Sequence, residues 1–312
     1  MSIDLDKLMN ETKQDIWLQL LEKPAAYQYT HGVKHVKNYE YETFNAELYI
    51  QNNGPGTVQR VLITTPKEFS GKLPAVVIPF YFPEAMVGFE LETLEELPKF
   101  SEIAMSKDLA ERGFITITAE AYHLTYCTDD KSERMDFFRW QRAGEDLLKD
   151  YPQWCGCGKL HADTQLLLDV LENDERVDKD NIGIAGHSLG GKMAFYTGCL
   201  DKRVKVILAS DFGINWDQTN WKDVWYWGDK VEKLKKLDMD HSQLLDMADG
   251  KPFMLIAGHF DNMDSYETMQ KAQSYAQVPE NLVILNHATG HRPTPEALLA
   301  GYEFLEKHLN KQ

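Results

Sequence analysis

The spacing of apolar residues along the chain changes several times, and each spacing predicts a different kind of element. Residues 1–30 have the helical spacing of an amphipathic segment. Residues 41–66 alternate apolar and polar side chains in two runs, and the sequence NGPG at 53–56 between them is a strong hairpin turn signal. Residues 73–82 form a continuous apolar run, which is typical of a strand buried on both faces of a parallel sheet.

Strand-like and helix-like segments alternate from about residue 73 to the end of the chain. This alternation predicts an α/β fold with a mostly parallel central sheet, helices on both of its faces and an N-terminal antiparallel hairpin. After 73–82, strands are predicted at 114–122, 182–185, 204–212, 251–261 and 281–291, and helices at 101–113, 133–150, 160–174, 189–200 and from Pro295 onward, with Thr294 as N-cap.

No stretch has the composition of an interdomain linker, so we expect a single domain over residues 1–312. Residues 1–40 are predicted to form a helical extension in front of the sheet. Residues 124–158 are too long for a plain loop in a compact domain, and residues 213–248 form a second long connection. Both segments are expected to be cap-like insertions.

Composition and charge narrow the classes of partner. The 312 residues are 43% hydrophobic, which is enough for a large core. A net charge of −16 without any basic block argues against nucleic acid and against anionic membrane surfaces. No leader sequence is visible, and no run approaches the ~18 apolar residues of a membrane span, which favours a cytoplasmic location. The 4 cysteines lack zinc-site spacing, so no metal is expected. Residues 183–186 lack the Gly-x-Gly-x-x-Gly spacing of a dinucleotide site, and no cofactor is expected.

The most informative motif joins the apolar run at 182–185 to the helix predicted at 189–200. Its sequence, GHSLG at 186–190, has the form Gly-x-Ser-x-Gly. In a sharp strand-to-helix turn, the residues two before and two after the apex approach so closely that side chains would clash. Such a turn raises the serine hydroxyl above the sheet, and the following helix offers N–H groups to an oxyanion. Ser188 is therefore the candidate nucleophile, and the Leu189 N–H is a candidate oxyanion donor.

A nucleophilic serine needs a base and an orienting acid, which this kind of turn predicts after later strands in the order Ser, acid, His. Asp261 directly follows a predicted strand and is the expected acid, with Asp211 and Asp264 as its rivals. His291, in the loop after the last strand, is the expected base, and His287 is its rival.

The surroundings of the serine supply candidates for substrate binding. A second oxyanion donor is expected after the run at 73–82, where the backbone N–H groups of Phe82 and Tyr81 are the candidates. His187 is a candidate pocket residue, although packing or a supporting hydrogen bond is its simpler role. Three tryptophans of the 213–248 insertion either wall the pocket or pack a cap or an oligomer contact; they are Trp216, Trp221 and Trp225.

The chain resembles an α/β-hydrolase and is similar to the branch of dienelactone hydrolases and acetyl xylan esterases. The resemblance lies in LPAVVIPF, RVDKDNIGIAGHSLGGKMA, FMLIAGHFD and ATGHRPTPE, and spans roughly residues 55–310. It implies an α/β-hydrolase fold and a serine hydrolase acting on esters, with Ser188, Asp261 and His291 matching the nucleophile, acid and base. One departure is Phe80-Tyr81, where the family pattern has His-Gly.

The expected function is hydrolysis of carboxylic esters, either short-chain acyl esters or carbohydrate acetyl esters, through a Ser-His-Asp triad and an acyl-enzyme. The expected partner is a small-molecule ester, and a homo-oligomer is compatible with the sequence without being required by it. Two other functions stay open: a serine peptidase of the prolyl-oligopeptidase type, and a non-catalytic binding protein on a hydrolase fold.

Overall fold

A sheet of nine strands runs through the residues that the computed structural model describes, which are 11–130, 132–258, 269, 273, 274 and 279–310. The strands are β1 (Val33–Glu40), β2 (Phe44–Gly54), β3 (Thr57–Pro66), β4 (Leu73–Val77), β5 (Ile115–Ala119), β6 (Val177–His187), β7 (Val204–Ser210), β8 (Phe253–Ala257) and β9 (Leu282–Asn286). Their spatial order is β1-β2-β3-β5-β4-β6-β7-β8-β9.

Strand direction divides this sheet into two parts. β1, β2 and β3 pair antiparallel with one another, and β3 pairs antiparallel with β5. Every pairing from β5 through β4, β6, β7 and β8 to β9 is parallel. β5 and β8 are buried at every position, as strands covered on both faces must be. The predicted mostly parallel sheet and its N-terminal hairpin are therefore confirmed, with the NGPG turn between β2 and β3.

The segment predicted as a helical extension, residues 1–40, is corrected by the structure in its second half. Helix α1 (Lys13–Leu21) begins after Thr12, whose side chain accepts a hydrogen bond from the Asp15 N–H. Residues 33–40 instead form β1 at the edge of the sheet. Most side chains of β1 are exposed, so its sequence carries no apolar alternation that would predict a strand.

The other helices are α2 (Pro83–Val87), α3 (Met105–Glu111), α4 (Tyr122–Tyr126), α5 (Phe137–Asp150), α6 (Gly156–Asn173), α7 (Leu189–Leu200), α8 (Lys230–Lys236), α9 (Ser242–Asp246) and α10 (Pro295–Leu309). Helices α1, α6, α7 and α9 pack against one another. Arg112, the residue after α3, forms an ion pair with Glu306 of α10 at 2.9 Å, and this pair links the two helices. Within the described ranges, none of the helices combines the length and apolar character needed to cross a bilayer.

An aromatic cluster connects α1 to the 213–248 insertion. The fully buried Trp17 ring stacks on Trp216 at 6.0 Å and on His241 at 5.9 Å, and meets Trp227 edge-on at 5.7 Å. Its indole N–H donates to Gln243 Oε1 at 2.9 Å. Because these contacts join distant parts of the chain, the insertion is held against α1 and α7 as part of the core.

We predict that Trp17→Ala lowers the free energy of unfolding by about 3–5 kcal/mol, because it empties a buried aromatic site. The neighbouring Leu18 is 49% exposed and is the matched control in the same helix. Urea denaturation should show Leu18→Ala within about 0.5 kcal/mol of wild type. Similar losses for the two variants would contradict this account of the cluster.

Candidate active site

Ser188 forms the turn between β6 and α7, because β6 ends at His187 and α7 begins at Leu189. Its backbone has φ 57° and ψ −114°, a conformation that non-glycine residues rarely adopt. The Ser188 N–H donates to the Ser210 carbonyl on β7 at 2.9 Å, which fixes the turn against the sheet. The residue is only partly buried, unlike its neighbours His187 and Leu189.

Two glycines provide the space that this turn requires. A Cβ on Gly190 would overlap the carbonyl oxygen of Pro79, and a Cβ on Gly186 would overlap the backbone of Gly190. Both contacts are with backbone atoms, which cannot move aside as a flexible side chain can. The structure therefore explains why the motif has glycine at both positions: a side chain at either one would clash, as the sequence motif implies.

His291 lies at the serine. Its Nε2 is 2.9 Å from Ser188 Oγ, although the two residues are 103 positions apart in the sequence. This distance is within the reach of a general base acting on a nucleophile. The two candidates that the sequence places on different loops thus meet at one edge of the sheet.

His287, the rival base, is engaged elsewhere. Its Nε2 lies 2.8 Å from Asp211 Oδ1, and its Nδ1 lies 2.6 Å from Thr289 Oγ1. Both ring nitrogens therefore have partners other than Ser188, which favours His291 as the base. Asp211, one of the rival acids, is the residue that holds His287.

The acid expected from the sequence is Asp261, which lies outside the described residues, as does its rival Asp264. The pairing of His291 with Asp261 stays a prediction.

The loop after β4, which passes Gly190 at Pro79, carries Tyr81 and Phe82. Phe82 is the N-cap residue of α2, and Leu189 is the first residue of α7, where an N–H has no acceptor within its own helix. The side chains of Ser188 and Tyr226 lie near the Tyr81 hydroxyl. Burial raises the pKa of Tyr81 to about 12, so this hydroxyl stays protonated near neutral pH.

The sequence points to the Tyr81 backbone N–H and misses its hydroxyl. The available signal is the replacement of the family's His-Gly by Phe80-Tyr81, which puts a side chain where the pattern has none.

Partly buried ion pairs fix α2 and with it the loop after β4. Arg60 binds Glu84 through Nη1 at 2.6 Å and Glu120 through Nε at 2.7 Å. Arg134 also approaches Glu84, at 3.4 Å, and its guanidinium lies 4.1 Å above the Phe82 ring. Because the Glu84 side chain is almost fully buried, its charge requires these partners. The loop is therefore preorganised rather than free to adapt.

His187 is buried directly behind the base. Its ring centroid lies 5.0 Å from that of His291, and its Nδ1 lies 3.4 Å from Ser210 Oγ. Burial lowers the pKa of His187 well below its ordinary value, so the ring is neutral. These contacts are those of a supporting residue, and its role toward a substrate stays a prediction.

The three candidate tryptophans occupy two places. Trp216 and Trp221 belong to the cluster around Trp17, where their N–H groups donate to the carbonyls of Met239 at 2.9 Å and Gly213 at 2.7 Å. Trp225 instead stacks at 5.9 Å on Phe137, which is 56% exposed. All three indoles are buried, the first two within the cluster around Trp17 and Trp225 beneath Phe137. A pocket role for the three stays a prediction.

We predict that Gly190→Ala lowers the free energy of unfolding by about 1–3 kcal/mol, because the added Cβ overlaps the Pro79 carbonyl. Alanine otherwise stabilises a helix relative to glycine, so the sign itself is informative. The control is Gly32→Ala, since a Cβ at Gly32 meets nothing within 4 Å. A Gly190→Ala protein as stable as wild type in urea denaturation would contradict the close approach at the elbow.

Two family models match overlapping parts of the chain. The model of the dienelactone hydrolase family matches residues 60–221, and that of the prolyl oligopeptidase family matches residues 157–312. A search of curated protein sequences finds no match.

Several solved structures share the fold at low sequence identity. A glucuronoyl esterase from Solibacter usitatus is 12% identical over 98% of this chain and 94% of its own, with a TM-score of 0.68. A promiscuous esterase of carbohydrate esterase family 15 from a marine bacterial metagenome is 11% identical over 99% and 93%, with a TM-score of 0.70. An acetyl xylan esterase from Paenibacillus sp. R4 is 18% identical over 99% and 95%, with a TM-score of 0.63.

These identities are low, so the solved structures establish the fold alone. Each of the two family models, in contrast, covers half of the chain or more. The chain therefore belongs to the dienelactone hydrolase family, matches the prolyl oligopeptidase family over its second half, and has the α/β-hydrolase fold.

Proposed function

We propose that the protein is a carboxylic ester hydrolase in which Ser188 is the nucleophile and His291 the general base. The observation that carries this proposal is the 2.9 Å contact between His291 Nε2 and Ser188 Oγ at a strained turn. His291 takes the hydroxyl proton as Oγ attacks the ester carbonyl carbon, and then gives it to the departing alcohol. A water molecule, deprotonated by the same imidazole, releases the acid from the acyl-enzyme.

The tetrahedral intermediate needs donors aimed at its oxyanion. We assign this role to the backbone N–H of Leu189, to the Tyr81 hydroxyl, and to the backbone N–H groups of Phe82 and Tyr81. Support comes from the position of Leu189 at the start of α7 and from the nearness of the Tyr81 hydroxyl to Ser188. The proposed acid is Asp261, which would hold His291 in the tautomer that leaves Nε2 free to accept a proton.

The proposed substrates are short-chain acyl esters or acetyl esters of carbohydrates. Support comes from the fold neighbours, which include a glucuronoyl esterase and an acetyl xylan esterase. The exposed Phe137, which stacks on the buried Trp225, would present an aromatic face on which apolar or sugar groups can stack. The expected partner is thus a small ester molecule.

A second candidate function is that of a serine peptidase. The match of the prolyl oligopeptidase family to residues 157–312 favours it. Comparing the turnover of p-nitrophenyl acetate with that of an aminoacyl p-nitroanilide separates the two functions. Faster cleavage of the anilide would select the peptidase.

We predict that Ser188→Ala lowers kcat for p-nitrophenyl acetate by at least about 1000-fold, because no other group supplies the nucleophile. His291→Ala should cost a similar factor, and the double variant little more, since the two residues act as one unit. Thermal unfolding of each variant controls for loss of the fold. Wild-type turnover in Ser188→Ala would overturn the proposed mechanism.

We predict that Tyr81→Phe lowers kcat by about 100-fold with KM unchanged, because a donor to the oxyanion acts only in the transition state. Since the pKa of Tyr81 is raised to about 12, the hydroxyl donates in its neutral form at every pH below that value. The ratio of the wild-type to the variant rate should therefore stay constant between about pH 6 and pH 10. An unchanged kcat in Tyr81→Phe would leave the oxyanion to backbone donors alone.

A further inference from the structure

The loop after β9 carries two histidines, of which only His291 acts in the proposed reaction. His287 lies four residues earlier and is buried together with Asp211, each side chain being 1% exposed. Its Nε2 lies 2.8 Å from Asp211 Oδ1. Asp211 follows β7 and His287 follows β9, so their side chains meet across the end of β8.

Gly258, the residue after β8, makes this contact possible. A Cβ at this position would overlap Asp211 Oδ1 and lie 2.5 Å from His287 Nε2. The backbones on both sides are anchored at the same place, because the Asp211 N–H donates to the Ile256 carbonyl and the His287 N–H to the Ala257 carbonyl. The ends of the three neighbouring strands β7, β8 and β9 therefore fix the positions of Asp211 and His287.

One end of the pair is connected to the nucleophile. Ser210 Oγ donates to Asp211 Oδ2 at 2.6 Å, and the Ser210 carbonyl accepts the Ser188 N–H at 2.9 Å. Asp211 also has φ 51°, a left-handed backbone that a short polar residue tolerates when its contacts require it. The residue that holds the elbow backbone is thus covalently next to Asp211.

The other end is connected to the base. Thr289 contacts His287 Nδ1 through its N–H at 3.3 Å and through Oγ1 at 2.6 Å. An N–H donated to Nδ1 places the ring proton on Nε2, which donates it to the Asp211 carboxylate. Thr289 Oγ1 also lies 3.3 Å from the Arg292 carbonyl. The segment from His287 to Thr289 is therefore held at the start of the loop that carries His291.

We propose that Asp211 and His287 are a positioning pair, which holds the loop of His291 at the distance from Ser188 that proton transfer requires. This inference rests on the proposed ester hydrolysis. Neither residue touches the reacting atoms: the carboxylate binds His287, His287 binds Thr289, and the loop so fixed presents His291 Nε2 to Oγ at 2.9 Å. Loss of His287 would leave a buried carboxylate without this donor and release the loop.

Two variants of His287 test the pair through kcat and KM for p-nitrophenyl acetate and through the thermal unfolding midpoint. His287→Leu keeps the volume and removes the donor, whereas His287→Gln keeps an N–H near the place of Nε2. We expect His287→Leu to lower kcat about 10- to 100-fold with KM unchanged, because small misplacements of a base are that costly. His287→Gln should recover most of the loss.

The matched control is His161→Gln. His161 is buried on α6 and bonded to Thr197 Oγ1 at 2.9 Å, away from the proposed site. It should leave kcat unchanged whatever it does to stability. A kcat of wild-type size in folded His287→Leu would overturn the inference, as would equal losses in His287→Leu and His287→Gln.

Asp211→Asn provides a second test that does not depend on His287→Leu folding. The amide keeps an acceptor oxygen for His287, so a positioning role predicts a kcat within about 10-fold of wild type. A role as the charged acid of His291 predicts a loss of about 10⁴-fold, and that result would overturn the positioning role.

Failure of the proposed function is recognised separately, by wild-type protein that shows no Ser188-dependent turnover. A crystal structure of His287→Leu tests the pair even then. The expected result is a distance from Ser188 Oγ to His291 Nε2 longer than a hydrogen bond. An unchanged distance of 2.9 Å would overturn the inference.

Discussion

The backbone of Ser188 reverses from β6 into α7 within one residue, in a conformation that costs about 1–3 kcal/mol for a residue with a side chain. It persists because both sides are fixed. β6 is paired with β4 and β7, and Gly190 contacts the Pro79 carbonyl at the end of β4. The strained backbone of Ser188 and the close approach of Gly186 and Gly190 to other backbone atoms have one cause. A turn tight enough to present the serine hydroxyl leaves no space for side chains at the two flanking positions.

Parallel strands bring the remaining groups to this turn. Because the carboxyl ends of β4, β6, β7 and β9 share one edge, the residues that follow them converge although they are far apart in sequence. Burial then sets their charge states. It raises the pKa of Tyr81, which keeps a neutral donor at Ser188, and lowers the pKa of His187, which keeps a second cation away from His291. The geometry and the electrostatics of the site thus both follow from the layered fold.

The sequence predicts those features whose signal is local. The apolar runs predict the buried strands, the NGPG turn predicts the hairpin, and Gly-x-Ser-x-Gly with a later histidine predicts the meeting of Ser188 and His291. β1 is not predicted, because an exposed edge strand needs no alternation of apolar and polar residues. The contact between Asp211 and His287 is not predicted either, because it depends on a glycine, Gly258, lying between them after β8.

The packing of the tryptophans is another feature that a local pattern does not encode. Trp216 and Trp221 pack around Trp17, which lies about two hundred positions earlier in the chain. Composition alone shows that residues 213–248 are rich in tryptophan. Only the position of α1 in the fold shows what these side chains pack against.

Labelling with a fluorophosphonate, followed by peptide mass spectrometry, tests the central claim most directly. The reagent reacts with a serine only when a neighbouring base removes its proton. The account predicts a single adduct on Ser188 in the wild-type protein, and none in folded His291→Ala under the same conditions. An unlabelled wild-type protein, or a label on Ser188 that persists in His291→Ala, would contradict it.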